Sequence, residues 1–324
     1  LTKAAKKLFS FLIKAGVLVL AFGFIYRQYL QKGDNLKHFH LLISHISRSE
    51  VIITMSAIVV LMLVNWVLES LKWQYLSRKI EKISIWAAIE AVFCGLTWAI
   101  FTPNRLGEYA GRVLFLPNRK RVLGVFAMAV GSFGQNVITN VIGLSACMWF
   151  AYSFFHINIY LYLTGVGGAL VFMVFICIFF FHIAWLVNLL DRIPYIKKFH
   201  KFFEIIGRYT KPELITIMGI SIARFAVFSF QYYLIIHMLI PQMSAFEMMM
   251  MVFVLFFVQS ALPSLDLVDI AVRNGTAAYL FGFITNQTVA VMAAVSSIWF
   301  INLIIPAILG SVFVFKLNFF DRNL

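Results

Sequence analysis

The sequence predicts an all-α polytopic membrane protein, with about six full transmembrane helices and two re-entrant helical hairpins arranged as an inverted repeat. Three observations carry that expectation. Of the 324 residues, 62% are hydrophobic and only 12% are charged, against roughly half and roughly a quarter in soluble domains. Several apolar runs reach the ~20 residues that cross a bilayer. Two stretches, Phe101–Leu116 and Leu262–Phe281, put acids and arginines into this apolar chain at comparable places in its two halves. The net charge of +14 would point to nucleic acid in a soluble protein. Here Lys and Arg collect in loops on one side of a membrane, and no nucleic-acid partner is expected. The whole of 1–324 reads as a single integral membrane domain.

Leu8–Tyr26 is the first span, and Lys3, Lys6 and Lys7 before it place the N-terminus in the cytoplasm. Its length and the lack of a small-residue cleavage site favour a retained helix over a signal peptide. In 31–50, Leu36, Phe39, Leu42, Ile43 and Ile46 recur at helical spacing, as in an amphipathic surface helix. His38, His40 and His45 fit no standard ligand spacing and read as its solvated face. Val51–Leu71 returns inward and ends in a basic loop anchored by Trp73 and Tyr75. Residues 84–101 and 103–116 form the first hairpin. The basic PNRKR at 117–121 brings the chain back inside, and the 14-residue second arm is short for a crossing.

Val122–Phe150 leads out and Ile159–Val187 leads back. Residues 188–213 carry Arg192, Lys197, Lys198, Lys201, Arg208 and Lys211, with Tyr195, Ile196, Phe199, Phe202, Phe203 and Ile206 on one helical face. This predicts an interfacial helix on the anionic inner leaflet. Leu214–Met238 goes out, 244–282 forms a second hairpin entered from outside, and Gln287–Phe315 returns, closed by Lys316 and Arg322. Both termini are thus expected in the cytoplasm. The first outer loop, with Arg27, Lys32, Lys37 and Arg48, is the exception to the charge rule. Cys94, Cys147 and Cys177 lie far apart in apolar runs and read as packing residues.

Shifting 83–103 by 160 positions matches Ser84 to Ser244, Trp86 to Phe246, Val92-Phe93 to Val252-Phe253 and Pro103 to Pro263. Each half then reads span, polar turn, apolar arm, proline, acid, arginine four residues on, long span. The pairs are Glu108 with Arg112 and Asp269 with Arg273. Repeat one is 51–150 with its hairpin at 84–116, repeat two is 214–316 with its hairpin at 244–282, and 188–213 links them. The two run in opposite directions through the membrane, an arrangement used by transporters.

An ionisable group at the bilayer centre costs ~3 kcal/mol, so the four just named would cost on the order of 10 kcal/mol unpaired. One reading is that each acid pairs with its own arginine and locks its hairpin. Arg105, however, has no acid at helical spacing except Glu108, Asp266 has only Arg273 far along its helix, and the mid-span Arg224 has no local partner. They point to a shared cavity with a substrate-binding set of Arg105, Glu108, Arg112, Arg224, Asp266, Asp269 and Arg273. Thr102 as N-cap and Pro103 at the first helical position predict a helix starting inside the membrane. Its N–H groups, beside arginines, suit a phosphate. Asn65 and Glu69 are placed near the interface, and Glu90 and Glu247 near opposite surfaces. Gln135, Asn136 and Asn140 serve interhelical bonding as readily as substrate contact. Met248–Met251 reads as packing or lipid-facing surface. No metal, cofactor or catalytic residue is expected, and no nucleotide-binding motif is present.

At FTPNRLGEYAGR and ALPSLDLVDIAVR the sequence resembles the lysylphosphatidylglycerol synthase transmembrane-region family, the flippase-like half of the multiple-peptide-resistance proteins. The first motif matches through Pro103, Arg105, Gly107, Glu108 and Arg112, the second through Pro263, Asp269 and Arg273. The resemblance covers roughly 8–316. Two departures stand out: the arginine follows the first acid by four residues where the commoner form has three, and Asp269 stands where Glu is usual. The resemblance implies a bacterial inner-membrane protein that moves lipids or lipid-linked molecules between leaflets. It does not imply aminoacyl transfer, which resides in a separate soluble C-terminal domain that the sequence to Leu324 is read as lacking.

The expected function is therefore a non-enzymatic lipid flippase acting on a phospholipid or polyprenyl-phosphate-linked lipid, with a homodimer as the assembly considered. An integral-membrane transferase on a polyprenyl-linked substrate and a non-transporting membrane scaffold are the alternatives.

Overall fold

The structure is a computed structural model that describes residues 46–314, apart from 101, 103–104, 194, 196–199 and 262–265 and the side chains of 266–269. The expected first span, the surface helix up to residue 45 and the closing charges Lys316 and Arg322 lie outside the described residues.

Every secondary-structure element among the described residues is a helix. They comprise α1 (Arg48–Ser77), α2 (Ile85–Ala99), α3 (Leu106–Val113), α4 (Arg121–Phe154), α5 (Ile159–Phe181), α6 (Ala184–Asp191) and α7 (His200–Gly207). Then follow α8 (Lys211–Leu239), α9 (Ala245–Ala261), α10 (Asp266–Phe281), α11 (Thr288–Trp299), a π turn (Phe300–Ile304) and α12 (Ile305–Val314). Five continuous helices among the described residues are long and apolar enough to cross a membrane: α1, α4 with its leading turn from Asn118, α5, α8, and Thr288–Val314. The apolar helices α2 and α9 are shorter.

Local chemistry sets the boundaries. Ser84 caps α2 by accepting the Ala87 N–H at 3.1 Å, and Asn158 caps α5 through the Tyr160 N–H at 2.9 Å. Glu213 reaches back to the Thr210 N–H at 2.8 Å, with Pro212 in the first turn of α8. The last span was expected over Gln287–Phe315 and is found over Thr288–Val314, not uniformly α-helical. It loosens into the π turn just before Pro306, which has no N–H to give the Asn302 carbonyl and whose ring crowds it.

α2 and α3 pack antiparallel. Gly111 lies against Gly95 and Gly107 against Trp98, and a Cβ on Gly111 would fall 2.5 Å from the Gly95 Cα. The helix after each short pair holds the first arm of the other pair. α2 packs on α12, where Gly310 sits under the Phe93 carbonyl, and α9 packs on α4, where Gly143 sits under Phe253 and Phe257. Thr97 donates to the Ala307 carbonyl at 2.8 Å across the first of these contacts. Thr97→Val is expected to lower unfolding stability by about 0.6–1 kcal/mol, the worth of one interhelical hydrogen bond in a membrane protein, measurable by thermal unfolding in detergent.

The ends of the helices segregate by chemistry. Lys79 bridges Glu213 at 2.7 Å and Lys120 pairs with Glu81, tying the end of α1 to the starts of α8 and α4. At the other end Trp149 meets Phe246, and Phe150 and Phe154 meet Phe283, joining the end of α4 to the start of α9 and the end of α10. The interfacial helix expected over 188–213 is divided between α6 and α7. Phe203, Ile205 and Ile206 are buried, with α7 packed on α4 and α6. Part of the face assigned to the lipid surface therefore packs on protein. The free cysteines take packing positions, Cys94 fully buried, as do Met248 and Met251.

Candidate functional site

Polar residues fall on one face of α1 at Asn65, Glu69 and Lys72, spaced four and three apart as helical neighbours are. All three are buried, at 4%, 6% and 3% exposure. A buried carboxylate requires partners, and Glu69 has three. Its Oε1 accepts from Arg112 of α3 at 2.5 Å. Its Oε2 meets Lys72 at 2.8 Å and accepts from Arg224 of α8. Arg112 also donates to Glu108, whose other oxygen lies 3.3 Å from Arg105. Arg224 donates through Nε to the Asn65 side chain at 3.1 Å and lies 5.6 Å over the Trp66 ring.

The result is one network across α1, α3 and α8. The expected pair Glu108–Arg112 is formed, but it is not private. Arg224, which has no partner at helical spacing in sequence, finds Glu69 in space. Among the described side chains, four cations of this network, Lys72, Arg105, Arg112 and Arg224, meet two carboxylates, Glu69 and Glu108, an excess of two positive charges.

The network forms one wall of a cavity of about 500 Å³. α4 contributes Ser132, Gln135, Asn136 and Thr139; α8 contributes Phe225 and Phe228; α9 contributes Gln259; the π turn contributes Asn302. Arg224 and Gln135 lie near the middles of α8 and α4. Tyr109 shares a 2.8 Å hydrogen bond with Ser132, and Arg273 of α10 donates to Gln259 at 2.8 Å.

Of the seven residues expected in the site, Arg105, Glu108, Arg224 and Arg273 line this cavity. Arg112 lines a recess of about 50 Å³ beside it, with Glu69 and Glu108. Asp266 and Asp269 stand on the first turn of α10, seven and four residues before Arg273, and their side chains lie outside the described residues.

The start of α3 differs from expectation. Its N-cap is Arg105, in the left-handed region at φ 56°, and the helix begins at Leu106. Thr102 still caps from a distance, since its hydroxyl accepts the Gly107 N–H at 2.7 Å. The left-handed residue turns the chain between α2 and α3 and sets Arg105 on the cavity wall. Glu69 and Lys72 were missed as site residues because a position near the end of a span reads as interfacial. Their shared face with Asn65 was the available signal. Among the described residues no group of three or more His, Cys, Asp or Glu could hold a metal.

These features define a multi-pass helical membrane protein with a charged, buried cavity among its spans. The chain belongs to the family of the lysylphosphatidylglycerol synthase TM region, whose profile matches residues 8–310. No curated protein and no solved structure matches it. Membership in that family and the multi-span all-α architecture are consistent with a lipid-translocating function.

Proposed function

We propose that the protein is a lipid flippase of a bacterial inner membrane, moving a phospholipid or polyprenyl-phosphate-linked lipid between leaflets by admitting its headgroup to the cavity. The observation that carries this reading is the excess of cations over carboxylates, Lys72 and Arg112 among them buried, around an open volume at mid-span. Buried charges require counter-charges, and a phosphate supplies one, while the surrounding apolar chain suits lipid tails. Arg105, Arg224 and Arg273 are the headgroup ligands in this reading. Glu108 and Arg112 tie α3 into the network on α1, and with Asp266 and Asp269 they complete the proposed substrate-binding set.

The transport geometry comes from two re-entrant hairpins, α2–α3 and α9–α10, related as an inverted repeat. The packing supports it. α2 begins and α3 ends near the basic ends tied by Lys120–Glu81, whereas α9 begins and α10 ends among Trp149, Phe246 and Phe283. The contacts are reciprocal as well. Phe93 meets Gly310 and Phe253 meets Gly143, and Phe93 and Phe253 are partners under the shift of 160. Ile100 beside the first tip and Ile270 of α10 share a buried cluster with Trp299 and Leu303 at the π turn. With the basic face turned inward, both termini lie in the cytoplasm.

Purified protein in liposomes, assayed for leaflet exchange of a labelled anionic phospholipid, tests the reading. Exchange is expected to be faster than in empty vesicles. Arg224→Gln is expected to slow it at least ~tenfold, the worth of one charge-assisted hydrogen bond, with Glu108→Gln and Asp269→Asn also impaired. Exchange at the empty-vesicle rate, or untouched by Arg224→Gln, would overturn it.

A further inference from the structure

Resting on the reading of the cavity as a headgroup site, we infer that lipid exchange is coupled to a proton carried by Lys72, which its amine takes up and releases as the headgroup enters and leaves. Lys72 is buried on α1 and is not among the headgroup ligands. Within the described network its charge is the one that can be removed without stranding another. Arginine keeps its proton in proteins, whereas a buried lysine can release one. Protonating Glu69 or Glu108 leaves arginines short of a counter-charge. Neutralising Lys72 leaves every other pair in place: Glu69 keeps Arg112 on Oε1 and Arg224 on Oε2, and Arg112 keeps Glu108 as well.

A route for the proton adjoins it. Lys72 lines both the large cavity and the recess of about 50 Å³, more than the ~10–15 Å³ that holds one water. Tyr109 and Ser132 also line both, and their hydroxyls share a 2.8 Å hydrogen bond in which either can donate. On release an Nζ–H bond breaks and the proton passes to the hydroxyl pair, which gives up one of its own to water in the cavity. The nitrogen keeps the electron pair and accepts a hydroxyl hydrogen in its place. Uptake reverses these steps. The charged and titratable groups on the described walls are Glu69 on α1, Glu108, Tyr109 and Arg112 on α3, and Arg105, Arg224 and Arg273 around the large cavity. The α4 side of the recess, at Met128, Gly131 and Ser132, is uncharged, and among the described residues α2 brings no group to it.

The direction follows from opposite charges. A phosphate in the cavity favours the ammonium over the amine, and by linkage the ammonium favours the phosphate. Proton and anion therefore travel together, and an anionic lipid moves down a proton gradient toward the alkaline side.

Liposomes holding the full chain, a trace of labelled phosphatidylmethanol and an imposed pH difference test this. The readout is the steady-state leaflet ratio, which does not depend on how fast a variant works, with empty vesicles as the baseline. In wild type the lipid is expected to accumulate in the leaflet facing the alkaline side, approaching about tenfold per pH unit for one proton per lipid, and to even out when a protonophore is added. Lys72→Arg keeps the charge but not the exchangeable proton, and Lys72→Gln removes both; in each the ratio is expected to stay near one. A second measurement needs no transport. Binding of dioctanoyl phosphatidylmethanol to the purified chain in detergent at mildly alkaline pH is expected to take up protons in wild type and none in Lys72→Arg, read by calorimetry in buffers of different ionisation enthalpy. A wild-type ratio that ignores the gradient while exchange proceeds at equal pH overturns the inference, as does accumulation or proton uptake in Lys72→Arg equal to wild type. Absence of wild-type exchange at equal pH brings down the flippase reading itself.

Discussion

Glu69→Leu is expected to be the most damaging single substitution in the protein. Glu69 holds Lys72, Arg112 and Arg224 at once and is itself buried. Removing one partner of a buried ion pair leaves the other uncompensated and costs about 3–5 kcal/mol. Here three cations lose a shared partner. Glu108 still engages Arg112, which limits the loss on α3, while Arg224 keeps Asn65 and Gln135 as neutral acceptors only. The expected result is a large fall in the thermal unfolding midpoint in detergent, together with exchange at the empty-vesicle rate. Glu108→Leu, which removes a carboxylate facing two cations rather than three, is expected to be milder. A Glu69→Leu protein as stable as Glu108→Leu would show that the hub is not where the network places it.

The second large effect is expected at the helix crossings. Valine at Gly310 or Gly143 adds bulk where α2 or α9 crosses. Overpacking a well-filled interior costs typically about 1–3 kcal/mol, and the two sites differ in what must yield. At Gly310 the obstacle is the Phe93 carbonyl, backbone inside α2; at Gly143 it is the Phe257 side chain, with the Phe253 carbonyl farther off at 3.3 Å. A side chain can move where backbone cannot. Gly310→Val is therefore expected to lower the unfolding midpoint more than Gly143→Val, and Gly310→Ala more than Gly143→Ala. The reverse order, or no effect at either glycine, would contradict the packing described for the two arms.

Much of this was legible in the sequence, for physical reasons. Apolar run length announces a span because an isolated helix in lipid satisfies its own backbone, and the described long helices lie where they were expected, although α1 runs six residues past Leu71 and α5 stops at Phe181, six short of Val187. α8, for example, covers Lys211–Leu239 where Leu214–Met238 was read. The Glu108–Arg112 pair was legible because both residues stand on one helix at one-turn spacing. What escaped was tertiary. Glu69 and Arg224 are 155 residues apart, and nothing in either local stretch records that α1 and α8 pack together. Thr102 and Pro103 carried a sound start signal, yet the helix begins at Leu106, because the left-handed Arg105 extends the turn. The π turn has a sequence cause in Pro306, but its consequence, Asn302 with an open oxygen on the cavity wall, required its neighbours to be seen.

Whether the two halves build one site is the central question, and a double-mutant cycle on exchange rate addresses it most directly. The variants are Arg105→Gln at the start of α3, Arg273→Gln on α10, and the double substitution, all in liposomes of one composition. Both residues line the same cavity. If they bind one headgroup, the double variant is expected to be clearly faster than the product of the two single effects predicts, since the second loss falls on a site already disabled. Effects that multiply, as independent sites would give, would contradict a shared headgroup site.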